Sequence, residues 1–185
     1  MDERAALWLM PSLTKDLILR KAEFDDWEPL YRNVWSRAET AKYMAWRVTD
    51  SEEAARERIL KTIAHQRTHD AWVVCEKMGG EPVGFAGVEE VQTHVYEDTG
   101  IAVGPEWVKK GYGKQILSAL LEYCGSLGGK TFLYSTRKDN AASKALALSC
   151  GFIYRGSRQK ADPKSGGFYE LEVYSKELPP LASCA

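Results

Sequence analysis

The sequence predicts an α/β fold in a single domain, built around a mixed, mostly antiparallel sheet. Three observations predict it. Hydrophobic patterns along the chain follow strand and helix periods in the order β-α-α-β-β-β-α-β-α-β-β. The 185 residues, 44% hydrophobic and 28% charged, have the length and composition of one globular domain. Neither an internal repeat nor a long linker divides the chain.

The first strand and the first helix are predicted within residues 17–35. The compact apolar run 17-LILRKA-22 predicts the strand. Asp25 or Asp26 is expected to cap the helix that follows, because large apolar residues then recur at helical spacing as far as Trp35.

The second helix is expected to open at 50-DSEE-53, where Asp50 would cap and Glu53 would complete a capping box. Its apolar face is predicted to consist of Ala55, Ile59 and Ile63. The cations between these positions are predicted to be solvated, namely Arg56, Arg58 and Lys61.

Three consecutive antiparallel strands are predicted next. The runs 71-AWVVCEK-77 and 82-PVGFAGVEEV-91 flank Gly79-Gly80 and predict a hairpin. The third strand is 94-HVYEDTGIAV-103, which Gly104-Pro105 should end. Helices and strands then alternate again: helix 113–128, strand 131–136, helix 141–150, strand 152–158 and strand 168–175.

Charge and residue spacing argue against several classes of protein. A net charge of -1 provides no overall field for nucleic acid or an anionic membrane, and no apolar run approaches the ~18 residues that span a bilayer. The four cysteines and three histidines lack zinc or disulfide spacing, so no metal is expected. The N-terminal segment does not have the pattern of a secretory signal, so a cytoplasmic protein is expected, as a monomer or a homodimer.

The stretch 107-WVKKGYGKQIL-117 allows three interpretations. A Walker-type phosphate loop is excluded, because Val108 stands where that motif needs glycine and Gln115 where it needs Ser or Thr. An ordinary glycine-containing helix cap is the second. The third is an anion site, in which glycines admit the anion to free backbone N–H groups at a helix start.

The anion site is favoured on physical grounds. Two glycines near a helix start cost up to about 1 kcal/mol each relative to alanine. Lysines are also disfavoured at this end of a helix, where the backbone carries partial positive charge. A sequence that gathers Lys109, Lys110 and Lys114 there is suited to a diphosphate.

These motifs resemble the GNAT superfamily of acetyl-coenzyme A-dependent N-acetyltransferases. The loop 108-VKKGYG-113 is similar to the family's pyrophosphate loop, with Val108 in place of the usual Gln or Arg. Three further stretches resemble the ribosomal-protein N-terminal acetyltransferase branch: 14-TKDLILR-20, 100-GIAVGPEWVKKGYG-113 and 168-FYELEVYSKEL-178. The family's asparagine motif is matched by Asn140, Ser143, Leu146, Gly151 and Phe152.

The resemblance implies a GNAT domain at residues 14–178, between an arm at 1–13 and a tail at 179–185. It implies six to seven strands, about four helices and a central strand pair splayed by a bulge. Acetyl-coenzyme A would be the cosubstrate, without a metal. Its diphosphate would contact the loop residues Val108, Lys109, Lys110, Gly111, Tyr112, Gly113 and Lys114. Its pantetheine arm and the rest of the groove would involve Ile101, Ala102, Val103, Asn140 and Ser143.

The resemblance also implies transfer of acetyl to a primary amine, either a protein α-amine or a small molecule. Deprotonation at pH 7 costs about 1.4 kcal/mol for an α-amine and about 4.6 kcal/mol for a lysine, so lysine needs a genuine base. Candidate carboxylates are Glu89, Glu90, Glu97 and Asp98. Strand alternation predicts that Glu97 and Asp98 point to opposite faces, so only one can serve. The resemblance favours Glu97, because a glutamate on or near this strand often takes the proton in the family.

The proton donor is less clearly indicated by the sequence. Many family members carry tyrosine directly after the leucine of the asparagine motif, where this chain has Ala147. Ser143, Ser149, Tyr134 or water stay open as donors, and a non-catalytic coenzyme A sensor or scaffold is the alternative function. A nucleotide-binding protein is a third alternative. The resemblance also implies an acceptor pocket at Trp35, Tyr43 and Trp46, because the first helices wall the acceptor site in the family.

Overall fold

The computed structural model of the protein describes residues 12–179, arranged around one sheet. The strands are β1 Ser12–Leu13, β2 Leu17–Arg20, β3 Asp70–Glu76, β4 Pro82–Gln92, β5 Val95–Val103, β6 Thr131–Arg137, β7 Ile153–Ala161 and β8 Phe168–Glu177. The helices are α1 Trp27–Leu30, α2 Ala38–Ala41, α3 Glu52–Gln66, α4 Tyr112–Ser126 and α5 Ala141–Ser149. Single 3₁₀ turns at Phe24–Asp26 and Pro105–Trp107, and a π turn at Tyr31–Trp35, complete the elements.

The sheet order is β1-β2-β3-β4-β5-β6-β8-β7, and the pairs are antiparallel except for β5 and β6. The predicted α/β class with a mixed sheet is therefore confirmed. Seven of the strands are the predicted ones. The additional β1 consists of two residues paired with Ile18 and Leu19, which is too short for a hydrophobic pattern to indicate.

The start of α3 differs from the sequence prediction, while Asp26 precedes α1 as its N-cap residue, as predicted. The Asp26 carboxylate does not cap α1 by a hydrogen bond but accepts from the Glu23 N–H and the Arg20 guanidinium. Asp50 does not cap α3; the Ser51 Oγ accepts from the Ala54 N–H at 3.2 Å. Neighbouring polar residues compete for a cap, and the chain path into the helix selects one of them.

The hydrophobic core has two parts, one on each face of the sheet. The larger cluster packs α4 through Ile116, Leu117 and Leu120. The smaller cluster packs the first helical turns and α3 on the opposite face, with Trp35 and Ile59 among its residues. Trp72 is buried in the larger cluster. Within residues 12–179, no helix combines the length and apolarity needed to cross a membrane.

The centre of the sheet contains a bulge and a splayed strand pair. Gly87 and Val88 of β4 pair with Gly100 and Asp98 of β5, so Thr99 is an extra residue on β5. The bulge requires glycine on both strands, because a Cβ at Gly87 would lie 2.4 Å from the Thr99 Oγ1 and Gly100 has φ +133°. On its other side, β5 pairs with β6 only over Val95–Glu97. Beyond that point the two strands separate, and a cleft opens between them.

Candidate active site

The loop before α4 has a backbone suited to an anion. Gly111 is the N-cap residue, with φ +79° in the left-handed region, and no side chain caps the helix. Lys109 also has a positive φ of 63°. Left-handed residues next to a helix start turn successive backbone N–H groups toward one side, and the first-turn amides lack acceptors within the helix. The loop therefore presents a group of free N–H donors, as the sequence predicts.

Two side chains of the loop are engaged elsewhere. Tyr112 is buried and donates a hydrogen bond to Glu76. Lys110 also approaches Glu76, at 3.9 Å, and lies near the Trp107 ring. Glu76 thus anchors the loop to β3. Of the seven predicted loop residues, Lys110 is the one absent from the lining of the adjacent groove, because this contact draws it aside.

A groove of about 430 Å³ runs from the loop along β5, and we call it the loop groove. It is bordered by α5, whose N-cap Asn140 accepts a hydrogen bond from the Ser143 N–H at 3.1 Å. Ten predicted coenzyme residues besides Asn140 also line it: Ile101, Ala102, Val103, Val108, Lys109, Gly111, Tyr112, Gly113, Lys114 and Ser143. The fold brings these sequence-distant residues together, while coenzyme binding by them stays a prediction.

The opening between β5 and β6 forms a smaller cavity of about 140 Å³, which we call the inter-strand cleft. Glu97 and Asp98 both line it, and both contact Ser135 of β6. Glu97 meets the Ser135 hydroxyl and Asp98 the Ser135 backbone N–H, so the cleft is open to both carboxylates, and their direction to opposite faces stays a prediction. The divergence of the strands leaves Ser135 accessible to both side chains.

The two carboxylates differ in their surroundings. Glu97 is buried, forms an ion pair with Arg158 and accepts a hydrogen bond from the Ser135 hydroxyl. Asp98 accepts from the Ser135 backbone N–H at 2.9 Å and has no ion pair among residues 12–179. Burial, reinforced by the charge of Glu97, raises the pKa of Asp98 to about 7, although Lys160 and Arg158 act in the opposite direction. Asp98 is therefore poised to exchange a proton near neutral pH.

A hydroxyl pair lies where the loop groove meets the inter-strand cleft. Tyr134 of β6 is buried, and its hydroxyl lies 2.6 Å from the Ser143 Oγ of α5. Both residues line both cavities. Burial raises the pKa of Tyr134, so the phenol stays protonated at neutral pH. This pair can donate a proton although Ala147, the position of the family's usual tyrosine, is buried in the core.

A third cavity, of about 580 Å³, lies between α3 and the sheet, and we call it the aromatic cavity. Trp35 and Trp46 line it, as does Phe85 of β4. Tyr43, the third residue of the predicted acceptor pocket, instead lines the loop groove and the inter-strand cleft. The predicted pocket is thus divided between two places, since the chain turns sharply after α2.

The three cavities adjoin one another. The loop groove and the inter-strand cleft share Ile101 and Tyr134. The cleft and the aromatic cavity share Thr99 and Gly100, the two residues at the bulge. Two molecules that enter from opposite sides could therefore meet beside Asp98.

Sequence reasoning missed Ser135, Arg158 and Arg58. The first two are recognisable only through their contacts with Glu97, 38 and 61 residues away. Arg58, predicted to be solvated, is half-buried against Trp35 and Trp46. The sequence did contain a signal that Arg58 lies beside the apolar face of α3, because it follows Ala55 by three positions and precedes Ile59 by one. Across the described part of the chain, no cluster of His, Cys, Asp and Glu is arranged to hold a metal.

Comparison with known proteins places this site in a family context. A family model described as an acetyltransferase (GNAT) domain matches residues 16–153. Two curated mycobacterial proteins match about half of the chain: the uncharacterized protein ML0378 of Mycobacterium leprae (37% identity over 87 residues, 45% of this chain) and the N-alpha-acetyltransferase RimI of Mycobacterium tuberculosis (34% over 93 residues, 49% of this chain). The match spans 23% and 57% of their respective lengths. The uncharacterized N-acetyltransferase YoaA of Bacillus subtilis is 26% identical over 172 residues, 90% of this chain and 97% of its own.

Solved structures share the fold across nearly the whole chain. An acetyltransferase of the GNAT family from Bacillus anthracis has a TM-score of 0.77 at 22% identity and covers 91% of this chain and 98% of its own. The microcin C7 self-immunity acetyltransferase MccE, in complex with acetyl-CoA and AMP, has a TM-score of 0.77 at 23% identity, with 92% and 99% covered. RimL, the ribosomal L7/L12 alpha-N-protein acetyltransferase in complex with coenzyme A, has a TM-score of 0.75 at 22% identity, with 91% and 98% covered.

Proposed function

The chain belongs to the acetyltransferase (GNAT) family, and we propose that it transfers an acetyl group from acetyl-CoA to a primary amine by direct attack in a ternary complex. One observation carries the proposal: a groove beside a helix N-terminus and a separate aromatic cavity meet at a cleft that holds a carboxyl group poised near neutral pH. We also propose that the acetyltransferase domain occupies residues 14–178, beyond the matched 16–153, because β8 pairs with β6 along its length.

The loop groove is the proposed site of acetyl-CoA. The free amides that begin α4, together with Lys109 and Lys114, suit the diphosphate. Complexes of MccE with acetyl-CoA and of RimL with coenzyme A, both of the same fold, support this ligand. Beyond Glu97, no strand among residues 12–179 pairs with β5 on its β6 side, so the backbone at Ile101 and Val103 is available to pair with the amides of the pantetheine arm.

The inter-strand cleft is the proposed place of reaction. The amine nitrogen attacks the thioester carbonyl carbon, and the resulting oxyanion is stabilised by a backbone N–H at the bulge. One such preorganised donor contributes about 3 kcal/mol to acyl transfer. The C–S bond then breaks and releases coenzyme A, while the new C–N bond remains in the amide product.

Asp98 is the proposed general base. Its pKa of about 7 leaves an appreciable fraction as carboxylate at neutral pH, and that carboxylate takes the proton from the attacking amine. Glu97, the base favoured from the sequence, is instead held by Arg158 and the Ser135 hydroxyl. We assign Glu97 a positioning role, since through Ser135 it holds the strand that binds Asp98.

Tyr134 and Ser143 are the proposed acid. The thiolate released from the thioester has a pKa near 8.5 and needs only a modest donor. Ser143 gives its proton to the thiolate, the phenol of Tyr134 replaces that proton across their 2.6 Å contact, and water then returns a proton to Tyr134 while Asp98 releases the amine's proton to water. Ala147 therefore does not preclude turnover, because the hydroxyl comes from a neighbouring strand.

The proposal is tested by the release of free thiol from acetyl-CoA in the presence of a panel of primary amines. We expect release that depends on the amine, and the acetylated amine as a product in mass spectra. Thermal-shift measurements with acetyl-CoA and with ATP provide the binding control. A shift with acetyl-CoA but no turnover on any amine would favour the non-catalytic sensor, and a shift with ATP alone would favour a nucleotide-binding protein.

A further inference from the structure

Arg58 extends from α3 into the aromatic cavity and contacts two tryptophans there. Its guanidinium carbon lies 4.6 Å from the centre of the Trp35 ring and 4.2 Å from that of Trp46. These contacts fix the guanidinium against aromatic walls and remove much of its water. Burial lowers the pKa of Arg58 to about 10, which leaves it fully charged at neutral pH.

This charge has no carboxylate partner among residues 12–179. The hydrogen bond that Arg58 makes is from Nη1 to the neutral hydroxyl of Thr49, at 2.9 Å. Arg56, on the same helix, also stacks on a tryptophan but pairs with Glu52 at 2.9 Å. A partly desolvated guanidinium without an anion is unfavourable, and its remaining N–H groups are not enclosed by protein. They are available to a ligand in the cavity.

A continuous series of contacts joins Arg58 to the proposed reaction site. The Trp46 ring lies 6.2 Å from the Phe85 ring. Phe85 in turn reaches the bulge, since a Cβ built on Gly100 would lie 3.8 Å from its ring. Gly100 borders both the aromatic cavity and the inter-strand cleft. A ligand along this path would have one end at Arg58 and the other beside Asp98.

We propose that the acceptor is an amine whose far end carries an anionic oxygen group, a carboxylate or a phosphate, bound by Arg58. The inference rests on the proposed acetyl transfer and names its substrate class. A guanidinium offers two parallel N–H groups that match either anion, and the aromatic side chains contact the apolar part of the molecule between its two ends. Polyamines and aminoglycosides are disfavoured, because Arg58 already occupies the cation position on both tryptophans.

Matched acceptors test the proposal. The amine 4-(2-aminoethyl)benzoate has a carboxylate where 4-(2-aminoethyl)benzamide has a neutral carboxamide of nearly the same shape, and tyramine phosphate differs from tyramine by the added phosphate group. We expect kcat/KM to be at least about 10-fold higher for the anionic member of one pair or both, the usual effect of a hydrogen bond to a charged group. The pair with the larger ratio distinguishes carboxylate from phosphate. Equal values within both pairs would overturn the proposal.

Variants connect the preference to Arg58. In Arg58→Gln the ratio of kcat/KM between the anionic and neutral amines should fall to near one. Arg58→Lys, which keeps the charge but not the fork, should give an intermediate ratio. Arg56→Gln is the matched control, because it removes a stacked arginine of the same helix outside the cavity, and the wild-type ratio should persist. A wild-type ratio in Arg58→Gln would contradict the assignment.

A binding measurement separates failure of this inference from failure of the proposed function. The probe 4-ethylbenzoate has no amine, and its binding beside Trp35 and Trp46 should change tryptophan fluorescence in the wild type and not in Arg58→Gln. If no amine is acetylated but this difference is seen, the anion site stands and the acetyl transfer fails. If amines are acetylated but neither the fluorescence difference nor the kcat/KM ratio is found, the anion site fails alone. Thermal unfolding of Arg58→Gln checks that the variant is folded.

Discussion

Replacement of Asp98 by asparagine tests the assignment of the general base. The asparagine side chain keeps an oxygen for the Ser135 N–H but cannot take a proton. Because the pKa of Asp98 is raised to about 7, wild-type kcat/KM should rise with pH through about 7 and level off above it. The variant should lose that rise and about 100-fold or more of kcat/KM at pH 8, within the range of about 10²–10⁴ that general bases contribute.

The acceptor amine also titrates, so the assay must distinguish two groups. The profile should be measured with two amines of different pKa. A limb that belongs to the amine moves with the acceptor, while the limb of Asp98 stays near 7. Glu97→Gln is the matched variant: it should impair the site by releasing Ser135 and Arg158, yet keep the limb of Asp98, moved below 7 because the charge of Glu97 helps to raise that pKa. Loss of that limb in Glu97→Gln and its persistence in Asp98→Asn would refute the assignment.

The same substitution has a consequence for stability. The pKa of Asp98 is higher in the folded state, about 7, than in the unfolded chain, about 3.9. Its contribution to the free energy of unfolding is therefore complete below about pH 3.9 and is lost as pH rises through about 7. The loss above pH 8 is up to about 4 kcal/mol. Urea unfolding should show Asp98→Asn gaining stability relative to the wild type from pH 5 to pH 9, and a constant difference would contradict the raised pKa.

Four other substitutions address the loop, the helix behind it and the proposed acid. Gly111→Val should remove the thermal shift with acetyl-CoA and lower stability by about 2 kcal/mol, because valine is strained at φ +79°; a full shift in a folded variant would exclude the loop as the diphosphate site. Gly125→Ala, in α4 with open space at the Cβ, should raise stability by up to about 1 kcal/mol and leave that shift unchanged, as measured by thermal unfolding. Tyr134→Phe and Ser143→Ala should each lower kcat more than they alter KM in steady-state kinetics; a wild-type kcat in both would assign the proton to water.

The succession of strands and helices could be predicted because its signals are local. The run 17–22, the glycine pair before the second central strand and the stripe of α4 each lie within a few residues. The residues that cap the helices were harder to predict from the sequence. Ser51 caps α3 although Asp50 is an equally good candidate by residue type, since the direction of the chain at the helix start decides between neighbours.

The part of the candidate site that lies in one continuous stretch of sequence could be predicted. The part that depends on contacts between distant residues could not. The anion loop is one continuous stretch, so residues 107–114 could be recognised together. Glu97 and Asp98 were recognised as carboxylates, but their relative roles depend on Ser135 and Arg158. Alternation along a strand would leave only one of the two carboxylates for the site, whereas the divergence of β6 lets both line the cleft.

Arg58 illustrates the same limit on the acceptor side. A cation between the apolar positions of a helix is most simply interpreted as solvated, and this interpretation holds for Arg56. Trp46, which lies before α3, packs over Arg58. This contact is why Arg58 is half-buried while Arg56 is exposed. That contact depends on how the loop from α2 to α3 packs, for which the sequence carries no periodic signal.

By itself, the sequence determined the family, the order of elements and the position of the anion loop, because hydrophobic period, glycine and charge act within one or two helical turns. Only the tertiary structure decided which carboxylate is poised near neutral pH, which hydroxyls stand together and which arginine faces the aromatic cavity. Each of these properties depends on the distance to groups on other elements of the chain and on the water that packing excludes. These distances and this exclusion of water are defined only in the folded protein, where β5 pairs with β6 over three residues and then diverges from it.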